Sequence, residues 1–206
     1  MSSSEASLAP GEYHHIEPEQ AYHAAKFGMW IFLITEIHLF AVLFCVFAVY
    51  RFKYLAEFER HAQTLDWKLG GLNTIVLLTS SYFMVRAVDS AQRGLNGNCK
   101  TWLNFTFLCG LIFLAIKAFE YDTKFSHYLG PSTNIFYGLY FTMTGLHGVH
   151  VIAGMAVIWW LRSLAANNRF STTYYTPVEV SGLYWHLVDI IWIYLFPLLY
   201  LIGGIK

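Results

Sequence analysis

Five apolar stretches, each close to the length of a membrane-crossing helix, follow one another along this 206-residue chain. They run from about Phe27 to Tyr50, Leu69 to Ala91, Trp102 to Phe119, Ile135 to Leu161 and Gly182 to Ile205; about 20 apolar residues suffice to cross a bilayer as a helix. Only 13% of the residues are charged, against about 25% in a typical soluble domain. The expected fold is therefore all-α: a polytopic membrane protein built as a bundle of five transmembrane helices. Residues 1–26 read as a polar, extramembrane N-terminal tail, since they lack the charged start and short apolar core of a secretory signal. Residues 27–206 read as one five-helix domain, with no room for a second.

The joining segments are polar: RFKYLAEFERHAQTLDWK, RGLNGNCK, YDTKFSHYLGPST and RSLAANNRFSTTYYTPVE, with Pro131 and Pro177 ahead of the last two helices as start signals. Lys and Arg divide almost evenly between the two sets of loops, so charge does not orient the chain. Formal net charge is zero and no basic tail exists, which argues against nucleic acid as a partner. Cys45, Cys99 and Cys109 are odd in number and two lie in apolar runs, where a thiol acts as a small hydrophobe, so no disulfide framework is implied. Neither an internal repeat nor a pair of interrupted helices, common in secondary transporters, is visible.

Polar groups inside such a bundle carry most of the information. Glu36 lies in the middle of the first span, where an acid costs on the order of 3 kcal/mol on insertion scales. It should face protein, a lipid headgroup or water, and it is the first functional candidate. Lys117 and Glu120, His147 and His150, and His186 and Asp189 are each three apart and so share a helix face. Lys117 and Glu120 are expected to pair. His186 and Asp189 read as a buried hydrogen-bonded pair, or else as a step in a proton relay. His147 and His150 either hydrogen-bond across a helix interface or ligate a metal or haem. That interface is expected at Gly145, Gly148 and Gly154, which, with Thr144, permit close helix approach. Glu179 and His186 are seven apart, as are Trp185 and Trp192, giving an acid-histidine stripe beside an aromatic one on the last helix. His38, two residues from Glu36, cannot face it and is assigned no chemistry.

Taken together, WIFLITE (Trp30 to Glu36), LNTIVLLTSS (Leu72 to Ser81), AFEY (Ala118 to Tyr121), TGLHGVHVIAG (Thr144 to Gly154) and the terminal E-x5-WHLVDIIW (Glu179 to Trp192) resemble subunit III of the haem-copper respiratory oxidases, the cytochrome c oxidase branch most closely. The resemblance implies a non-catalytic subunit with no metal or other cofactor of its own; haem and copper reside in partner subunits. It implies packing on subunit I, with subunit II and a small subunit IV nearby, cytochrome c as electron donor to the complex, and bound phospholipid. It further implies a multi-pass protein of the inner (plasma) membrane with a cytoplasmic N-terminus and a periplasmic C-terminus. The carried-over role is support of subunit I: proton uptake, slower turnover-linked inactivation, and lipid and oxygen access. Glu36 matches the family's buried lipid-adjacent acid and is the expected lipid-binding or proton-linked residue. Glu120, His147, His150, Glu179, Trp185, His186 and Asp189 are expected to be structural. Lys117 and His38 depart from the family pattern, and the two first helices of its seven-helix form are absent. A quinol oxidase subunit III, a nitric oxide reductase accessory protein, a free-standing transporter and a membrane haem protein are the competing readings.

Overall fold

A computed structural model describes residues 18–201. Six helices follow in order: α1 (Pro18–Lys53), α2 (Leu55–Ala62), α3 (Trp67–Gln92), α4 (Asn96–Ser126), α5 (Ile135–Ala166) and α6 (Thr176–Tyr200). All but α2 are long and apolar enough to span a membrane, so the chain is an all-α polytopic membrane protein. The polar segment expected at residues 1–17 and the end of the last helix at 202–205 lie outside the described residues.

The helices run longer than their apolar cores. α1 begins nine residues before Phe27, inside the segment read as tail, because Tyr22 and Lys26 find a partner on α6. α4 takes in Asn96 to Lys100 and Tyr121 to Ser126, leaving a turn of only Arg93 to Leu95 before it. Gly94 turns that corner at φ +70°, a conformation glycine adopts without strain. Asn96 then ties the turn to the α5–α6 loop: its amide donates to the Phe170 carbonyl at 2.8 Å, and its oxygen accepts from the Phe170 N–H. Asp66 caps α3 and Asn134 caps α5 through side-chain oxygens on first-turn N–H groups. Pro177 sits in the first turn of α6, where its missing N–H costs nothing.

The four helices α3 to α6 close into a ring, each packed on its chain neighbour and α6 back on α3. Trp185, Trp192, Phe113, Tyr140, Leu77 and Met84 fill it. α1 stands outside this ring, resting mainly on α6 and touching α5. The bundle is thus four helices plus one. α2 is amphipathic: it buries Phe58 and Ala62 against the end of the ring and turns its charges outward. Phe58 fits edge-on between Phe47 of α1 and Phe136 of α5, fixing how the first loop lies.

Candidate functional site: the polar groups of the bundle

Glu36 finds its partner across the gap between α1 and α5. Its Oε2 is 2.8 Å from His150 Nε2, with both side chains about 85% shielded (14% and 15% exposed). The other ring nitrogen of His150 lies 2.8 Å from the Leu146 carbonyl. A carbonyl only accepts, so Nδ1–H donates to it, and Nε2 faces the Glu36 carboxyl. Phe40 packs edge-on against the imidazole, and Tyr184 of α6 donates to the His150 carbonyl. Three helices therefore hold this one pair. His38, as expected from its spacing, turns away to the Ile34 carbonyl on its own helix.

A second group lies within the ring. Lys117 Nζ is 3.0 Å from Glu120 Oε2, so the expected i,i+3 pair forms, and it is buried. Tyr200, near the end of α6, donates to Glu120 at 2.7 Å and lies 2.5 Å from Lys117 Nζ. The ammonium also sits 4.5 Å over the Trp192 ring, an attraction strengthened where water is excluded. One turn on, Lys124 is buried and donates to the Thr64 carbonyl in the first loop. Thr64 in turn hydrogen-bonds the Tyr137 hydroxyl.

The stripe on α6 divides between two neighbours, α1 and α3. Glu179 accepts from Lys26 at 2.8 Å and from Tyr22, both on α1. His186 Nδ1 is 2.7 Å from Ser81 Oγ on α3, not paired with Asp189. This corrects the expected His186–Asp189 pair: a hydroxyl on the neighbouring helix competes successfully for the imidazole. Asp189 is buried, and among the described residues neither of its carboxyl oxygens has a partner of normal hydrogen-bond geometry. Trp185 and Trp192 donate to Ser80 and Thr74 on α3, which satisfies their indole N–H groups in the core.

His147 and His150 do not act together. His147 is fully buried between the Phe113 and Trp192 rings, without a hydrogen-bond partner among the described residues, so the expected bond across an interface forms at His150 and not at His147. The glycine surface is divided as well. A Cβ on Gly154 would meet Trp185 at 2.9 Å, whereas Gly148 has nothing within 4 Å and Gly145 nothing nearer than 3.9 Å. Gly154 is the packing position; Gly145 and Gly148 border an open hollow of about 230 Å³ between α4 and α5.

Sequence reasoning missed Lys26, Tyr22, Tyr200, Ser81 and the pairing of Glu36 with His150. The i,i+4 spacing of Tyr22 and Lys26, which puts both on one helix face, was the available signal for Lys26. The others rest on contacts between helices far apart in the chain. Among the described residues no three His, Cys, Asp or Glu side chains are grouped to hold a metal ion.

Comparison with known proteins agrees with the motifs. The profile of the family described as cytochrome c oxidase subunit III matches residues 9–204. A cytochrome c oxidase subunit 3 from Synechocystis sp. is 34% identical over 96% of this chain and 83% of its own length. A cytochrome bo(3) ubiquinol oxidase subunit 3 from Pseudomonas aeruginosa is 33% identical over 87% of this chain and 85% of its own. A cytochrome c oxidase subunit 3 from Bacillus subtilis is 32% identical over 85% of each. Span count, motif order and near-complete coverage converge: the chain belongs to the cytochrome c oxidase subunit III family, and is a multi-pass membrane subunit of a haem-copper oxidase complex.

Proposed function

We propose that this subunit packs on the catalytic subunit I of a proton-pumping oxidase that takes electrons from cytochrome c, and keeps it in working order. It carries no redox centre; haem and copper belong to the partner subunits. Subunit II and a small subunit IV complete the complex, in the inner (plasma) membrane, with the N-terminus cytoplasmic, the C-terminus periplasmic and residues 1–26 leading into the five-helix unit. By burying a face of subunit I, it stabilises the assembled state through ordinary binding linkage.

The observation that carries this reading is the Glu36–His150 pair. It lies at the middle of the span and joins the outlying α1 to the ring. A carboxyl paired with an imidazole at that depth supports a place beside bound phospholipid and near a proton or oxygen path, because ionisable groups within spans mark such sites. Glu120, Glu179, Trp185 and His186 bond neighbouring helices to one another, and His147 and Asp189 are buried among them.

The test is turnover-dependent inactivation of the complex carrying Glu36→Gln or Glu36→Ala. Shortened catalytic lifetime with subunit III still attached is the expected result. Unchanged lifetime and unchanged proton pumping in both variants would confine Glu36 to structure.

A second reading has direct support, since relatives at similar identity are named ubiquinol oxidase subunits. Steady-state assays of the purified complex with reduced cytochrome c and with ubiquinol decide between the two donors. Oxidation of ubiquinol alone would replace the first reading with the second.

A further inference from the structure

α2 is held against the end of the ring by a hydrogen bond of fixed direction. Asn134 caps α5, its side-chain oxygen accepting from the Tyr137 N–H at 3.0 Å. The atom it turns toward α2 is therefore the amide nitrogen, which lies 3.0 Å from Nε2 of His61. An amide N–H donates and never accepts, so Nε2 must be the acceptor, and only a neutral imidazole protonated at Nδ1 offers one there. A second proton on the ring would set donor against donor at that distance. His61 is half-buried, so protons from water reach it.

What this bond holds is the far end of α1. Phe58, three residues before His61, fits between Phe47 of α1 and Phe136 of α5. Phe136 also lies under the His61 ring, 6.0 Å away and 25° from parallel. The other groups around the imidazole come from several elements. α5 brings Tyr137 at 5.4 Å, its hydroxyl 2.8 Å from Thr64 Oγ1. α4 brings a cation, Lys124, 2.6 Å from the Thr64 carbonyl. α1 reaches it only through Phe47 and Phe58. α2 itself carries Glu57 one turn back, with Glu59 and Arg60 alongside, and neither carboxylate pairs with His61 among the described residues.

We propose that His61 and Asn134 form a pH-sensitive latch, closed while the imidazole is neutral and opened by its protonation, which frees α2 and with it the C-terminal end of α1 from α5. Histidine is the side chain whose charge changes between about pH 5 and 8. α2 follows the end of α1, on the side of the bundle assigned above to the periplasm, where a proton-pumping oxidase releases its protons. The latch needs only its own geometry; that it reads released protons rests on that orientation.

Hydrogen–deuterium exchange of the purified oxidase complex, read by mass spectrometry over Phe58 to Leu65 at about pH 8 and about pH 5, tests the latch. Variants are compared with wild type at the same pH, so the intrinsic pH dependence of exchange cancels. His61→Gln keeps an accepting oxygen that takes no proton. It should match wild type at the higher pH and exchange about tenfold more slowly than wild type at the lower, the scale of one hydrogen bond. Asn134→Asp keeps the cap and turns an acceptor toward the ring, so its bond should also survive in acid, again with slower exchange than wild type. Unchanged protection of α3 to α6 shows that each variant is folded. Equal exchange of wild type and both variants in acid overturns the latch. The side it faces is read separately, by labelling Glu59→Cys, an exposed position of α2, in spheroplasts with a membrane-impermeant maleimide. Labelling before lysis is the expected result. Labelling only after lysis overturns the reading of released protons without touching the exchange result.

Discussion

At the scale of single residues the buried ion pair on α4 gives the sharpest expectation. Removing one member leaves the other charged and unpaired in the core. Lys117→Met or Glu120→Gln alone should therefore destabilise the subunit by about 3–5 kcal/mol, and the double variant by much less. Thermal unfolding of the complex, read as release of this subunit, checks both. A double variant as unstable as the singles would mean that Tyr200 and Trp192, not the charge balance, depend on the pair. This ion pair was legible in the sequence, because i,i+3 spacing alone makes the two side chains neighbours. The partner of Glu36 was not, since His150 lies 114 residues away and no periodicity links the two. The His186–Asp189 expectation failed for the same reason: spacing puts two groups on one face, but cannot show that Ser81 on another helix lies closer to the imidazole.

Between helices, the glycines separate close packing from open surface. Gly154→Ala would drive a Cβ to 2.9 Å from Trp185, whose ring is locked by its bond to Ser80. A loss of about 1–3 kcal/mol is expected. Gly148→Ala meets nothing and should be neutral or stabilising by up to about 1 kcal/mol through helix propensity. Thermal release of the two variants, compared side by side, reads the difference. Equal losses would show that Gly148 is also covered in the assembled complex. Element existence was plain from the five apolar runs, whereas element ends were not. Hydropathy marks where hydrocarbon begins, but α4 and α6 continue beyond it, held by tertiary bonds such as Lys124 to Thr64. α2 escaped notice because it is eight residues long and only two of them, Phe58 and Ala62, are buried.

Across the whole molecule, α1 is fastened to the ring by two polar clasps on one helix, Lys26–Glu179 and Glu36–His150. They lie ten residues, or about 15 Å, apart along the helix. Cutting both with Lys26→Gln and Glu36→Gln should let α1 move, whereas either alone should hold it. Electron–electron distance measurements between spin labels at the exposed positions Val42 and Val149 would show this as a broadened distribution in the double variant only. A narrow distribution there would mean that apolar contacts with α6 suffice. The same clasps bear on how the chain is made. Glu179 and His150 are synthesised 153 and 114 residues after their partners, a delay of roughly 5–30 s at ordinary elongation rates of 5–20 residues per second. The first span thus enters the bilayer with both its lysine and its acid unmatched, and must wait there, held by its apolar residues or by an insertion factor. α6, made after every other described helix, is the one on which α1 chiefly docks.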